Sequence, residues 1–439
     1  MLALSRLIRG IPTFKRTYAT VSDVSGVKVA GIENGSRPGT SSVTIVVKAG
    51  SRYEPKPGVA HVLKSFAFKS TSYGSALKTA RETELYGGVL SAALSREHLY
   101  LTADFLRGDE THFLQVLASV LSSTHFHSHE YAELVLPNVQ SESLAALASP
   151  STLALDIAHH VAFRRGLGNS LFASPHSPVS AADAKSYAQL AFSKANIAVL
   201  GSGISTDALS KAVQSAFGAG SAGSANLSSG STEYFGGEQR LPLDLHAGGP
   251  TVQPTMIIAY GTSEAVTPAM KVMPYIIGGD SSVKWNPGTS QLSVKVAAVP
   301  GATAQSFVLP YSDASLFGII LSAPTSEALS ELAKSAVDDI KKVQGGKLGK
   351  DIVKRSVAKA KFAEATTLER VDTMLPSAGP ALFTGGVPAP DSSFASLDKL
   401  SENSVAEAAK ELFRRHPTVV SIGDLRVLPF ADELGLGTK

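Results

Sequence analysis

No cysteine occurs in the 439 residues of this chain. That absence excludes disulfides, thiolate zinc sites, cysteine-ligated iron–sulfur clusters and covalently attached c-type haem. It fits a reducing compartment. Long apolar runs are also missing: no stretch reaches the about 18 residues a transmembrane helix needs, so any membrane association is peripheral or through partners. Charge is scarce, with Asp, Glu, Lys and Arg at 18% against about 25% in an ordinary soluble domain. Either partner subunits cover much of the surface, or Gly, Ala and Ser dilute the charge. The net charge is +3, part of it in the first twenty residues, so the body is near neutral. There is no basic stripe and no common nucleic-acid motif, which argues against a nucleic-acid partner. A G-x-S-x-G elbow is lacking, and "GGKLGK" (345–350) has neither the spacing of a P-loop nor a Ser/Thr after its lysine.

What is present is enough apolar sequence (44%) for two to four domains. The opening "MLALSRLIRGIPTFKRTYATVS" carries Arg6, Arg9, Lys15 and Arg16, with leucines interleaved and no acid before Asp23. It reads as a mitochondrial presequence over residues 1–18, cut between Tyr18 and Ala19 just downstream of Arg16; a disordered basic tail is the alternative. A secretory signal is disfavoured, because arginine interrupts the short apolar run.

Beyond that segment the order of elements repeats. "SSVTIVVKAGSRYE" (41–54) predicts a strand, a helix follows from Gly58, and "SALKTARETELYGG" predicts another. "GVLSAALSREHLYLTADFLRG" is a strand pair turning at Ser95–Glu97, and "DETHFLQVLASVLSS" is an acid-capped helix. Helices over 128–148 and 151–164, a helix from Ala181, the strand "ANIAVLGSG" and a helix from Thr206 complete this half. "TMIIAYGTS", "TPAMKVMPYIIGG" and "SFVLPYSDASLFGIILSAP" restart the sequence of strand, helix and strand pair. Helices from Thr325, Lys350 and Ser401 and the strand "HPTVVSIGDL" then follow. Matching elements stand 216 to 222 residues apart, so the expectation is an α+β chain of two homologous lobes, 19–217 and 233–439. Residues 218–232, rich in Gly, Ala and Ser, read as a flexible linker. Its G-x-G-x-x-G match (Gly218, Gly220, Gly223) lacks the preceding strand and following helix of a dinucleotide site.

Three further groups of residues carry no chemistry in the sequence. "HFHSH" places His125, His127 and His129 at alternate positions, but the segment joins two helices and reads as a solvated loop. His159 and His160 lie in an apolar helical run, one expected to pack and the other to face outward. Trp285 sits in a loop and reads as a packing anchor.

Residues 56–71, "KPGVAHVLKSFAFKST", carry the chemistry that matters. Through Gly58, Ala60, His61, Leu63, Phe68, Lys69 and Thr71 they resemble the G-x-A-H-x-x-E-H-x-x-F-K-G-T run of the pitrilysin-type metallopeptidases. "YGG" (86–88) and "YFGGEQR" (234–240) look like further landmarks of that family. There, two histidines one helical turn apart bind Zn²⁺, the glutamate between them activates water, and a glutamate about 75 residues on is the third ligand. The resemblance implies those roles at His61, Lys64 and Ser65. The third ligand maps to Asn138, with Glu142, one turn on, as the alternative. A lone histidine, an ammonium in place of the base and a hydroxyl in place of the second ligand imply no metal, no cofactor and no catalysis.

Among mitochondrial members without the zinc motif, the chain resembles the core-protein family of ubiquinol–cytochrome c reductase, respiratory complex III. That resemblance implies two lobes, each a mixed β-sheet faced by helices. It also implies a peripheral place on the matrix side of the inner membrane, in a dimeric complex with core protein 1, cytochrome b, the c-type cytochrome, the Rieske protein and small subunits. The alternative is the non-catalytic, presequence-binding α subunit of the mitochondrial processing peptidase. Its long glycine-rich loop has only "IIGGDSSVKWNPGTS" as a counterpart here. A third class, a peptidase active on its own, requires an unrecognised metal set.

Overall fold

The structure, a computed structural model, describes residues 21–32, 39–174, 179–217, 227–243, 252–280, 288, 290–346, 348–384 and 390–437. The expected presequence with its Tyr18–Ala19 junction, the glycines of the G-x-G-x-x-G match and Trp285 lie outside the described residues.

Two mixed sheets organise the chain. The first contains β1 (Val21–Val24), β2 (Val27–Ile32), β3 (Thr40–Val47), β4 (Val89–Leu94), β5 (Leu99–Leu106) and β6 (Ile197–Ser202), in the order β1-β2-β6-β3-β5-β4. The second contains β7 (Gly237–Pro242), β8 (Thr255–Thr262), β9 (Thr303–Pro310), β10 (Ser315–Ser322) and β11 (Thr418–Gly423), in the order β7-β11-β8-β10-β9. Among the described residues, β2–β6 and β7–β11 are the parallel pairs. From β2 onward the two sheets match strand for strand, which is the α+β duplication expected. The first predicted strand, a β-branched run closing in turn residues, ends at Val47, and the chain then turns into a short 3-10 segment at Ser51–Tyr53.

Helices pack on both faces of each sheet, so β6, β8 and β11 are buried at every position rather than alternating. Along β3, Val43, Ile45 and Val47 face the helices of their own half, while Val46 faces a helix from the other half. That helix, Val371–Ala378, lays Met374, Leu375 and Ala378 on Ala30, Val46 and Leu200 of the first sheet. In return the helix Pro150–Phe163 lays Ala154, Ala158 and Ala162 on Ile257, Ala259 and Val420 of the second sheet. The alanines at i, i+4 and i+8 share one helix face and admit close approach. The two halves therefore interlock, each lending a helix to the other's sheet.

A buried polar cluster fastens this joint. Arg52 donates to Glu97 (2.8 Å) on the β4–β5 turn and grips both oxygens of Asp313 (2.6 and 2.7 Å) on the β9–β10 turn. Positions 97 and 313 are 216 apart, the offset of the repeat, so two equivalent acids share one guanidinium. Residues 227–232, expected within the flexible linker, are tied into the cluster instead. Leu227 N–H donates to Asn196, Ser229 accepts from Arg52, and Thr232 donates twice to Asp313. Their small hydroxyl and backbone groups satisfy charges that the joint has removed from water. Nearby, Tyr311 O–H meets His159 Nε2 at 2.6 Å across the same joint. Among the described residues, no helix is long and apolar enough to cross a membrane.

Candidate functional site

The site forms where two helices pass. The motif helix, Val59–Ser65, starts at Gly58, whose φ of +85° is the left-handed conformation glycine favours. The Glu54 carboxylate accepts from the N–H groups of Gly58 (3.0 Å) and Ala60 (3.2 Å), and burial pushes its carboxyl up to about 7. The second helix, Leu136–Ala148, follows a π-helical turn at Tyr131–Val135, where the sequence predicts plain α-helix. The helices pair so that His61 lies opposite Glu142 and Ser65 opposite Asn138.

The distances bring both candidates for the third position, Asn138 and Glu142, to the site and separate their contacts. His61 Nε2 lies 2.6 Å from Glu142 Oε2, and Lys64 Nζ lies 2.7 and 2.5 Å from the two Glu142 oxygens. Asn138, the mapped third ligand, instead donates to Ser65 Oγ at 3.5 Å and to Glu142 at 3.3 Å. Spacing in the sequence leaves residues one turn apart equivalent. The opposed passage of the helices separates them, giving the carboxylate to His61 and the amide to Ser65.

His61 is 2% exposed. Its Nδ1 accepts the Ala173 backbone N–H at 3.1 Å, and its ring meets Phe172 edge-on at 5.8 Å. Burial lowers its pKa despite Glu142, so the imidazole is neutral at pH 7. Burial raises the Glu142 pKa, but the hydrogen bonds from Lys64 and His61 outweigh it and the net shift is downward.

This donor set does not fit zinc. Catalytic Zn²⁺ needs three Lewis-basic ligands and an open position. Here the one imidazole has both nitrogens committed, and the one carboxylate already accepts from an ammonium and a ring N–H. The remaining members are a hydroxyl and an amide. Lys64, as an ammonium, has no lone pair with which to take a proton from water.

The other constellations take their places. His125 and His127 lie in the exposed segment between two helices and His129 in the helical turn Ser128–Glu130 that opens the second, with ring centroids 5.1 and 5.0 Å apart. No group of metal-ligating residues able to hold an ion is found among the described residues. His159 is buried and His160 exposed, as expected. A cavity of about 580 Å³ opens on the inner face of the first sheet; Ser42, Thr44, Thr102, Arg370 and Asp372 are among its walls, and His61 is not. Ala173 is the member of the site that the sequence does not reveal. Its contribution is a backbone N–H, which leaves no mark in residue identity.

A model of the family "Insulinase (Peptidase family M16)" matches residues 29–174, the span that includes His61, Glu142 and Ala173. Full-length similarity runs to proteins called "Cytochrome b-c1 complex subunit 2, mitochondrial". The one from Cryptococcus neoformans var. grubii is 53% identical, over 99% of this chain and 100% of its own. That from Neurospora crassa is 39% identical, over 94% and 90%. The Homo sapiens protein is 28% identical, over 93% and 90%. A chain in the solved structure "Complex III2 from Candida albicans, Inz-5 bound" superposes with a TM-score of 0.80 at 18% identity, covering 95% of this chain and 99% of that one. At that identity the superposition speaks for the fold. The sequence matches speak for the lineage: the chain belongs to the cytochrome b-c1 complex subunit 2 family.

Proposed function

We propose that this chain is a non-catalytic structural core subunit of mitochondrial ubiquinol–cytochrome c reductase, needed for assembly and stability of the electron-transfer complex. It works by shape and adhesion. Its partners in this reading are core protein 1, cytochrome b, the c-type cytochrome, the Rieske protein and the small subunits, met from the matrix side within a dimeric complex. Residues 1–18 serve as the import presequence, removed at Tyr18–Ala19.

The observation that carries the non-catalytic part is the Lys64–Glu142–His61 cluster. Its hydrogen bonds use the lone pairs a metal would require, and its ammonium stands where a water-activating carboxylate belongs. The interlocked halves support the scaffold part. Two exchanged helices and a buried Arg52 clasp make one stiff body, suited to holding subunits at fixed positions. Obligate interfaces of such assemblies bury thousands of Å², which agrees with the low charge content.

Depleting the chain from mitochondria tests the reading. Ubiquinol–cytochrome c reductase activity and assembled complex are expected to fall together, with presequence cleavage of other imported proteins unchanged. Loss of presequence cleavage with the reductase intact would favour the processing-peptidase alternative.

A further inference from the structure

The Ala173 loop explains more than the site's present geometry. Ala173 is held on three sides: its N–H donates to His61 Nδ1 (3.1 Å), its carbonyl accepts from Ser143 Oγ (2.9 Å), and its Cα lies against Gly58. A Cβ added to Gly58 would stand 2.6 Å from Ala173 Cα, so only glycine lets the loop come this near. The loop and both helices thus meet on one imidazole.

A backbone N–H only donates. The nitrogen facing it must offer a lone pair, so in the neutral ring the proton is on Nε2. That proton points at Glu142. A metal-binding histidine has the reverse arrangement when it binds through Nε2: the lone pair is on Nε2 and Nδ1–H donates to an acceptor. Here an Nδ1–H would meet another N–H at 3.1 Å. The ring therefore presents a donor, not a ligand, to the space between the helices. The Lys64 ammonium fills that space and supplies the positive charge opposite Glu142.

We propose that Lys64 has replaced the metal as the cation tying the motif helix to the Glu142 helix, and that the Ala173 N–H holds His61 in the tautomer that bars a metal's return. This rests on the chain's own geometry and does not depend on the complex III reading. It separates two explanations of the missing zinc site. If substituted ligands were the whole cause, Lys64→Glu with Ser65→His would rebuild a full set. Two imidazoles and the Glu142 carboxylate would be the ligands, with a carboxylate at position 64 as base. With the tautomer held, those two changes are insufficient.

The test uses the full chain with isotope-labelled histidine, NMR to read which His61 nitrogen carries the proton, and elemental analysis after incubation with zinc alone. The unsubstituted chain is expected to show Nε2–H. The Lys64→Glu/Ser65→His variant is expected to bind far less than one zinc per chain. Adding Ala173→Pro, which removes the N–H, is expected to raise zinc towards one per chain. Lys64→Met is expected to lower the unfolding midpoint by several degrees, and Lys64→Arg to restore most of it. An Nδ1–H ring, or stoichiometric zinc in the double variant, would overturn the tautomer assignment even if the proline variant failed to fold. An unchanged midpoint in Lys64→Met would overturn the tie.

Discussion

Glu142 is the residue on which the site turns. It accepts from a neutral imidazole and an ammonium at once, so its charge is matched and most of its lone pairs are used. Glu142→Gln leaves the Lys64 ammonium half-buried without its partner. Breaking a fully buried pair costs about 3–5 kcal/mol; with Glu142 35% exposed, a loss nearer about 1–2 kcal/mol is expected after solvent screening. Chemical denaturation of the variant at pH 7 measures it. The sign with pH follows from the lowered carboxyl pKa. The contribution is full above the ordinary carboxylate range and lost as pH falls through the native value, so variant and parent should converge in acid. His61, Lys64 and Ser65 were legible because His61 keeps, and Lys64 and Ser65 replace, a residue with a defined chemical role. The choice between Asn138 and Glu142 was not legible, since residues four apart share a helix face and only the partner helix distinguishes them.

At the scale of elements, the two equivalent turns and what joins them dominate. Arg52→Ala strands Glu97, which is almost fully buried, and leaves Asp313 and residues 227–232 without their common donor. A loss of about 3 kcal/mol or more is expected. Arg52→Lys keeps the charge but not the planar fork, and should recover only part of it. Thermal unfolding of the two variants side by side checks this order. His98, on the β4–β5 turn, stacks on Phe383 from the other half at 5.7 Å, and burial with Lys48 nearby lowers its pKa to about 3. The unfolded chain takes this proton below about pH 6.5, and the native one does not until near pH 3. This group's contribution to stability is therefore lost as pH falls through that window. Buried His61 and His159 act in the same direction. His98→Leu should flatten the acid limb of the stability profile.

The elements themselves were mostly readable, because β-branched runs and capped amphipathic helices carry strong periodic signals. β7, "GEQRLP", was not: it is a polar edge strand whose place is fixed by parallel pairing with β11. β1 and β2 were missed beside the basic leader. The helix Val371–Ala378 was missed because Pro376 lies inside it.

For the whole molecule, the exchanged helices are what no local pattern announces. Ala154, Ala158 and Ala162 look like the core of their own half and pack on the other sheet. Cutting the backbone at a protease site engineered into residues 218–226 should therefore leave the two pieces together on size exclusion without denaturant. The similarity of the halves was visible as a repeat; their interlocking depends on contacts between residues far apart in the sequence. As an interlocked body whose motif site is filled by an ammonium, the chain is expected to act only in company. The most direct measurement is to tag it at the C-terminus, isolate it from mitochondria in mild detergent, and record the visible spectrum of the intact assembly on a native gel. The account predicts b- and c-type haem absorbance and ubiquinol–cytochrome c reductase activity in the tagged band. A haem-free band that instead carries a zinc peptidase and cleaves presequences would contradict it.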